Sequence, residues 1–234
     1  MDLISLIIIL LILSGLTVIY FKKRQSRQLE YIKRYIFHSS IKKKISNKYP
    51  HLTNEETHLV FRALRDYFWM CNKAKRRMVA MPSQVVDDAW HEFILFTRNY
   101  EIFCSKAIGR FLHHTPTEAM RTPTLANDGI KRAWRLACAK ENIHPSVPFK
   151  LPLIFEIDSK LKIEKGFIYS LDCTDKKTGT TSDGYCAGHI GCSSGCSGDS
   201  GVSSDSGMSN DSGGFFDGFF DSSGADCGGG CGGD

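Results

Sequence analysis

Asp87 and His91 stand four residues apart, so on a helix both project from one face and their side chains can meet. A carboxylate and an imidazole in that arrangement are metal-ligand types. His113, His114 and Cys104 downstream enlarge the set to one that suits Zn²⁺ or a similar divalent ion. A second set lies near the C-terminus, Cys186-x2-His189-x2-Cys192-x3-Cys196, four soft donors within eleven residues. Its inventory fits Zn²⁺, although the spacing is not that of the common zinc knuckle. Structural roles are equally open to these residues. Asp87 in a first turn complements the helix dipole, His91 beside Trp90 suits a hydrogen-bonded core position, and His113-His114-Thr115-Pro116 suits a turn. Cys104, on an apolar helical stripe, reads as packing more readily than as a nucleophile. Structural, metal-binding and catalytic readings stay open, in that order of preference.

The elements that must carry these residues are helical. Thr53-Asn54-Glu55-Glu56 places an N-cap hydroxyl three residues before a carboxylate, a capping box that predicts a helix start. Leu59, Val60, Ala63, Leu64, Tyr67, Phe68 and Cys71 then recur at helical spacing, and Lys73 to Arg77 suit the C-terminal end of the dipole. A second helix is predicted from the Ser83 cap through Val86, Trp90, Phe93, Phe96, Tyr100, Phe103 and Ala107, with Gly109 as its stop. A third runs from an Asn127 cap to Glu141, with Ile130, Ala133, Trp134 and Ala137 inward, before Pro145, Pro148 and Pro152 forbid continuation. Leu153–Ile157 and Phe167–Leu171 read as short strands. The fold class is mainly α, with at most a minor β element.

Ahead of this domain, Leu3 to Phe21 is an apolar run broken only by Ser5, Ser14, Thr17 and Tyr20, and Lys-Lys-Arg follows at once. At about 1.5 Å per residue it nearly spans a ~30 Å hydrocarbon core. Met1 and Asp2 supply no basic n-region, and Thr17 to Phe21 offers no small-residue cleavage pair, so a retained anchor is expected rather than a cleaved signal. Ten basic residues against Glu30 between Lys22 and Lys48 predict that the N-terminus faces out and the remainder lies in the cytoplasm, at the plasma membrane. The expected organisation is an anchor over 1–21, a basic juxtamembrane segment over 22–49, a helical domain over 50–170 and a tail over 171–234.

The tail is rich in Gly, Ser, Asp and Cys and lacks the aliphatic residues that would offset ordering entropy, so disorder is expected. Residues 166–234 hold ten Asp and two Lys, a net charge of −8, which argues against nucleic acid as a partner there. Six of the nine cysteines crowd this region. With cytoplasmic placement, reduced thiols are the default. Phe215-Phe216-Asp217-Gly218-Phe219-Phe220-Asp221 is an acidic aromatic cluster suited to docking on a protein partner, on a membrane-proximal basic surface or on itself.

The stretch 85–116 carries V-D-x-x-W-H, then L-x-T-x-x-Y-x-x-F-C, then G-x-x-L-H-H-x-P. It resembles the central segment of the glycine-rich domain-containing protein family, over roughly residues 50–170. The likeness is most distinctive at Asp87, Trp90, His91, Tyr100, Cys104 and Gly109, and departs at Phe103, where plant members carry an acid. It implies a helical domain followed by a glycine-rich tail. The leading functional expectation is a non-enzymatic, membrane-anchored interaction or assembly module. The alternative is a membrane-tethered metal-binding protein or metal-dependent enzyme built on Asp87, His91, His113 and His114, with zinc as the cofactor.

Overall fold

Nineteen residues of apolar sequence lead straight into a helical register that does not stop at the basic flank. The computed structural model describes residues 3–114, 123–171, 185–186 and 190. In it α1 (Leu3–Arg34) is a single helix of 32 residues, about 48 Å long at helical rise. It is the one helix among the described residues long and apolar enough to cross a membrane. Its large apolar side chains from Ile4 to Phe21 are all exposed. The lower end of the same helix behaves differently. Ile32 is buried, Leu29 is partly buried, and Tyr31 and Tyr35 stack toward Phe103.

The segment over 22–49 is therefore not only a linker. α2 (Ser39–Lys48) buries Ile41 and Ile45, one turn apart, and Phe37 in the preceding connection joins them in the core. Two of its lysines are tied to the next layer, Lys44 to Glu92 at 2.6 Å and Lys48 to Asp88 at 2.7 Å. The Tyr49 hydroxyl donates to the same Asp88 carboxylate. Positive charge that sequence assigns to topology is thus partly spent on fixing α2 against α4.

α3 (Asn54–Lys73) begins as the sequence predicts. Thr53 Oγ1 accepts from the Glu56 N–H at 3.2 Å and the Glu56 carboxylate accepts from the Thr53 N–H at 2.8 Å, closing the capping box. Its predicted inward face is buried from Val60 to Cys71, with Leu59 at the margin. The second predicted helix is two. α4 (Gln84–Ile94) and α5 (Thr97–Ala107) break at Leu95–Phe96, where the Phe96 N–H bonds back three residues to Phe93 instead of four. The tightened turn lets α5 fold over Phe93 and Phe68, which meet Phe103 at ring distances of 5.3 and 4.7 Å. An unbroken apolar stripe hides such a break, since both halves face one core. Gly109 is the stop expected: its φ is +79°, and its N–H reaches the Cys104 carbonyl.

α6 (Pro123–Glu141) starts four residues before the Asn127 cap, because Pro123 takes a first helical position that needs no N–H. Leu153–Ile157 is not a strand but the start of α7 (Leu153–Lys160), which buries Ile154, Phe155, Ile157 and Asp158. Pro152 at its N-cap ends the loop and sets the helical entry. The second predicted strand stands in reduced form, β1 (Tyr169–Ser170), paired in parallel with β2 (Tyr185–Cys186) in the register Tyr169 to Tyr185. The architecture is mainly α.

Candidate metal centre

Everything in the 85–114 stretch depends on where α4 begins. Ser83 caps it, accepting from the Val86 N–H at 3.3 Å. The Asp158 carboxylate of α7, only 2% exposed, completes the cap. It accepts from Ser83 Oγ at 2.7 Å, from the backbone N–H groups of Gln84 and Val85 at 2.6 and 3.2 Å, and from that of Phe167 at 2.9 Å. A carboxylate against the first N–H groups of a helix satisfies orphan donors and meets the positive end of the dipole. Gly166 makes room for it, since a Cβ there would lie 2.7 Å from Asp158 Cβ.

One turn into α4, Asp87 Oδ2 lies 3.5 Å from His91 Nδ1, and Asp87 Oδ1 lies 2.9 Å from His114 Nε2. The His91 and His114 rings are 4.2 Å apart. One ligand atom from each of the three residues falls within 4.8 Å of the other two. Bond lengths of ~2.0–2.1 Å to a tetrahedral Zn²⁺ put neighbouring ligands ~3.4 Å apart. The observed 2.9 and 3.5 Å bracket that value, so an ion can replace the Asp87–His114 hydrogen bond with small side-chain movements. Asp87 and His114 are mostly covered and His91 is half exposed, which leaves one side open to solvent.

His114 lies outside any helix, and a relay of hydrogen bonds sets its position. Trp90 Nε1 donates to the Tyr100 hydroxyl at 3.1 Å, and that hydroxyl donates to the Leu112 carbonyl. The backbone two residues before His114 is thereby pinned to α4 and α5. The Trp90 ring also meets the His114 ring edge-on at 4.6 Å. Trp90 is therefore a positioning residue.

The other candidates part ways here. The His113 ring turns to Phe111 at 4.8 Å and does not join the three ligand atoms. Cys104 is fully buried, and burial pushes its thiol above the ordinary range, so the side chain serves packing. In the tail set, only the backbone of Cys186 is described, as part of β2. His189, Cys192 and Cys196, like the Phe215–Asp221 repeat, lie outside the described residues.

The cluster opens on a cleft of about 650 Å³ between the 76–81 connection, α4 and the 110–114 segment. Arg76, Arg77 and Arg110 line it, with Asp87 as the one carboxylate in its wall among the described residues. Arg110 Nη2 holds the Lys75 carbonyl at 2.8 Å, and the Ala80 N–H donates to the Gly129 carbonyl at 3.2 Å, fixing the connection that forms one side. Composition places Arg76 and Arg77 at the C-terminal end of the helix dipole; the helix ends at Lys73, and the two arginines lie beyond it, in the connection that walls the cleft.

A family model described as UCP032817-like matches residues 27–190, the greater part of the chain. No curated protein matches, and no solved structure does.

Proposed function

The chain belongs to the UCP032817-like family, and we propose that it is a membrane-anchored protein that holds a divalent cation of the zinc class at Asp87, His91 and His114. The observation that carries this reading is the convergence of three ligand atoms within 4.8 Å at the mouth of a cleft. Two imidazoles and a carboxylate leave a fourth position for water or a ligand, the arrangement of sites that do chemistry or bind reversibly rather than staple a fold. The arginine-lined cleft beside it suits an anionic ligand. Support for the anchor comes from the exposed apolar half of α1 and its unbroken continuation into the core. The basic flank favours the N-terminus outside and the domain in the cytoplasm, at the plasma membrane.

Two measurements on the full chain test this. Alkaline carbonate should leave it in the membrane pellet, and release into the supernatant would end the anchor reading. Metal analysis of the detergent-solubilised chain after zinc dialysis should give one ion per chain. His91→Ala and His114→Ala should each lose it while keeping the thermal transition. Full zinc occupancy in both variants would refute the site.

A second reading, the interaction module, has its own support. Ile36 and Leu95 are 83% and 65% exposed. They flank two connections joined by a His38–Phe96 ring contact at 5.6 Å. It becomes the leading account if no metal binds.

A further inference from the structure

Where α1 leaves its apolar stretch, α5 packs beside it and the two helices enclose a crevice of about 370 Å³. Its wall carries four cations, Lys23, Arg24 and Arg27 from α1 and Lys106 from α5, and no carboxylate among the described residues. Five cations elsewhere, Arg34, Lys44, Lys48, Lys140 and Lys150, each pair with an acid. Among the described residues none of the four crevice cations makes an ion pair with a carboxylate.

The crevice is a product of folding, not of the basic run alone. Lys106 is about 80 residues downstream of the run and is brought in by α5; its ammonium sits 5.9 Å over the Tyr31 ring. Arg24 and Gln28 lie against Gly109, each with a side-chain nitrogen 3.0 Å from where a Cβ would stand. Gln28 is held from below by Asn72, whose Nδ2 donates to its carbonyl oxygen at 3.1 Å.

Depth then decides what can fill it. The apolar run ends at Phe21, and Arg27 is six residues further along one helix, about 9 Å at helical rise. The polar layer on each side of a bilayer is ~5–8 Å thick, the difference between a ~30 Å core and a ~40–45 Å whole. If α1 spans the bilayer, Lys23, Arg24 and Arg27 lie in or just beneath the headgroup layer.

We propose that this crevice binds the headgroup phosphate of an anionic phospholipid, with the acyl chains lying along the exposed apolar face of α1. Guanidinium and ammonium groups converging without a counter-charge are the recognition chemistry for a phosphate, and the depth of the crevice selects the lipid-borne form over a free one. The inference rests on the anchor reading, which carbonate extraction tests separately. It is independent of the metal site.

The test is native mass spectrometry of the full chain in detergent micelles, titrated with phosphatidylglycerol or phosphatidylcholine. Phosphatidylglycerol should bind at one site more tightly than phosphatidylcholine. Lys106→Gln should weaken it about fivefold, the factor that corresponds to ~1 kcal/mol per basic residue at a membrane surface. Lys43→Gln removes the same charge from an exposed position outside the crevice and should leave binding unchanged. Equal weakening by the two variants would show diffuse attraction and overturn the proposal. So would equal binding of the two lipids. Displacement of phosphatidylglycerol by millimolar inorganic phosphate would make the ligand a soluble anion and overturn the lipid assignment.

Discussion

Removing the Asp158 carboxylate should destabilise the domain more than its distance from the candidate site suggests. The side chain accepts four hydrogen bonds, two of them from buried donors, Ser83 Oγ and the Val85 N–H, and two from part-buried ones, the N–H groups of Gln84 and Phe167. In Asp158→Ala the part-buried pair can turn to water. The buried pair cannot, and each orphaned donor costs ~1–3 kcal/mol. Relief of the carboxylate's own desolvation offsets part of this, so the expected loss is about 3 kcal/mol. For a folded unit of this size that lowers Tm by ~10 °C, at ~3–4 °C per kcal/mol. Asp158→Asn keeps one acceptor oxygen and should lose about half as much. Thermal unfolding of the full chain in micelles, followed by the fluorescence of buried Trp90 and Trp134, measures both. Ser83→Ala supplies the coupling: in the Asp158→Ala background its cost should fall by ~1 kcal/mol or more. A loss below 1 kcal/mol for Asp158→Ala, or strict additivity with Ser83→Ala, would refute the view that α7 sets the start of α4.

Gly166→Ala places a methyl 2.7 Å from Asp158 Cβ and should cost about 1–3 kcal/mol, a typical overpacking penalty, read from the same transition. Tyr100→Phe removes the hydroxyl between Trp90 and Leu112; zinc affinity should fall ~10-fold or more, as for other residues that orient ligands, in a competition titration against a chromophoric chelator. Burial pushes the Cys71 thiol from 9.0 up to about 12. Because the folded value is the higher one, this contribution to stability is whole below about pH 9 and is lost as pH rises toward 12. Cys71→Val should flatten the fall of Tm across that alkaline window, and an unchanged profile would count against the assignment.

Local chemistry was legible in the sequence wherever one element contained it. The Thr53–Glu56 box, the Ser83 cap, the Gly109 stop and the Asp87–His91 pair each lie within a few residues, and each has its expected geometry. What depends on chain crossing was not. Asp158 sits in a segment whose apolar run suits strand and helix alike, and its role arises only when α7 meets α4. Adjacent His113 and His114 look equivalent in sequence; outside a helix their directions are set by the Trp90–Tyr100–Leu112 relay, which sends one to Asp87 and the other to Phe111. Ile41 and Ile45, masked by interleaved lysines, make core from a stretch that composition marks as a basic juxtamembrane segment.

The most direct test of the central claim is a Co²⁺ titration of the full chain under reducing conditions, followed by absorption spectroscopy. The Asp87–His91–His114 site predicts one ion per chain, d–d bands of a nitrogen- and oxygen-ligated centre without thiolate charge transfer, and loss of the signal in His114→Ala but not in His113→Ala. Absence of binding, or an intense thiolate charge-transfer band that His114→Ala leaves intact, would contradict it, the second result assigning the metal to the cysteines of the tail.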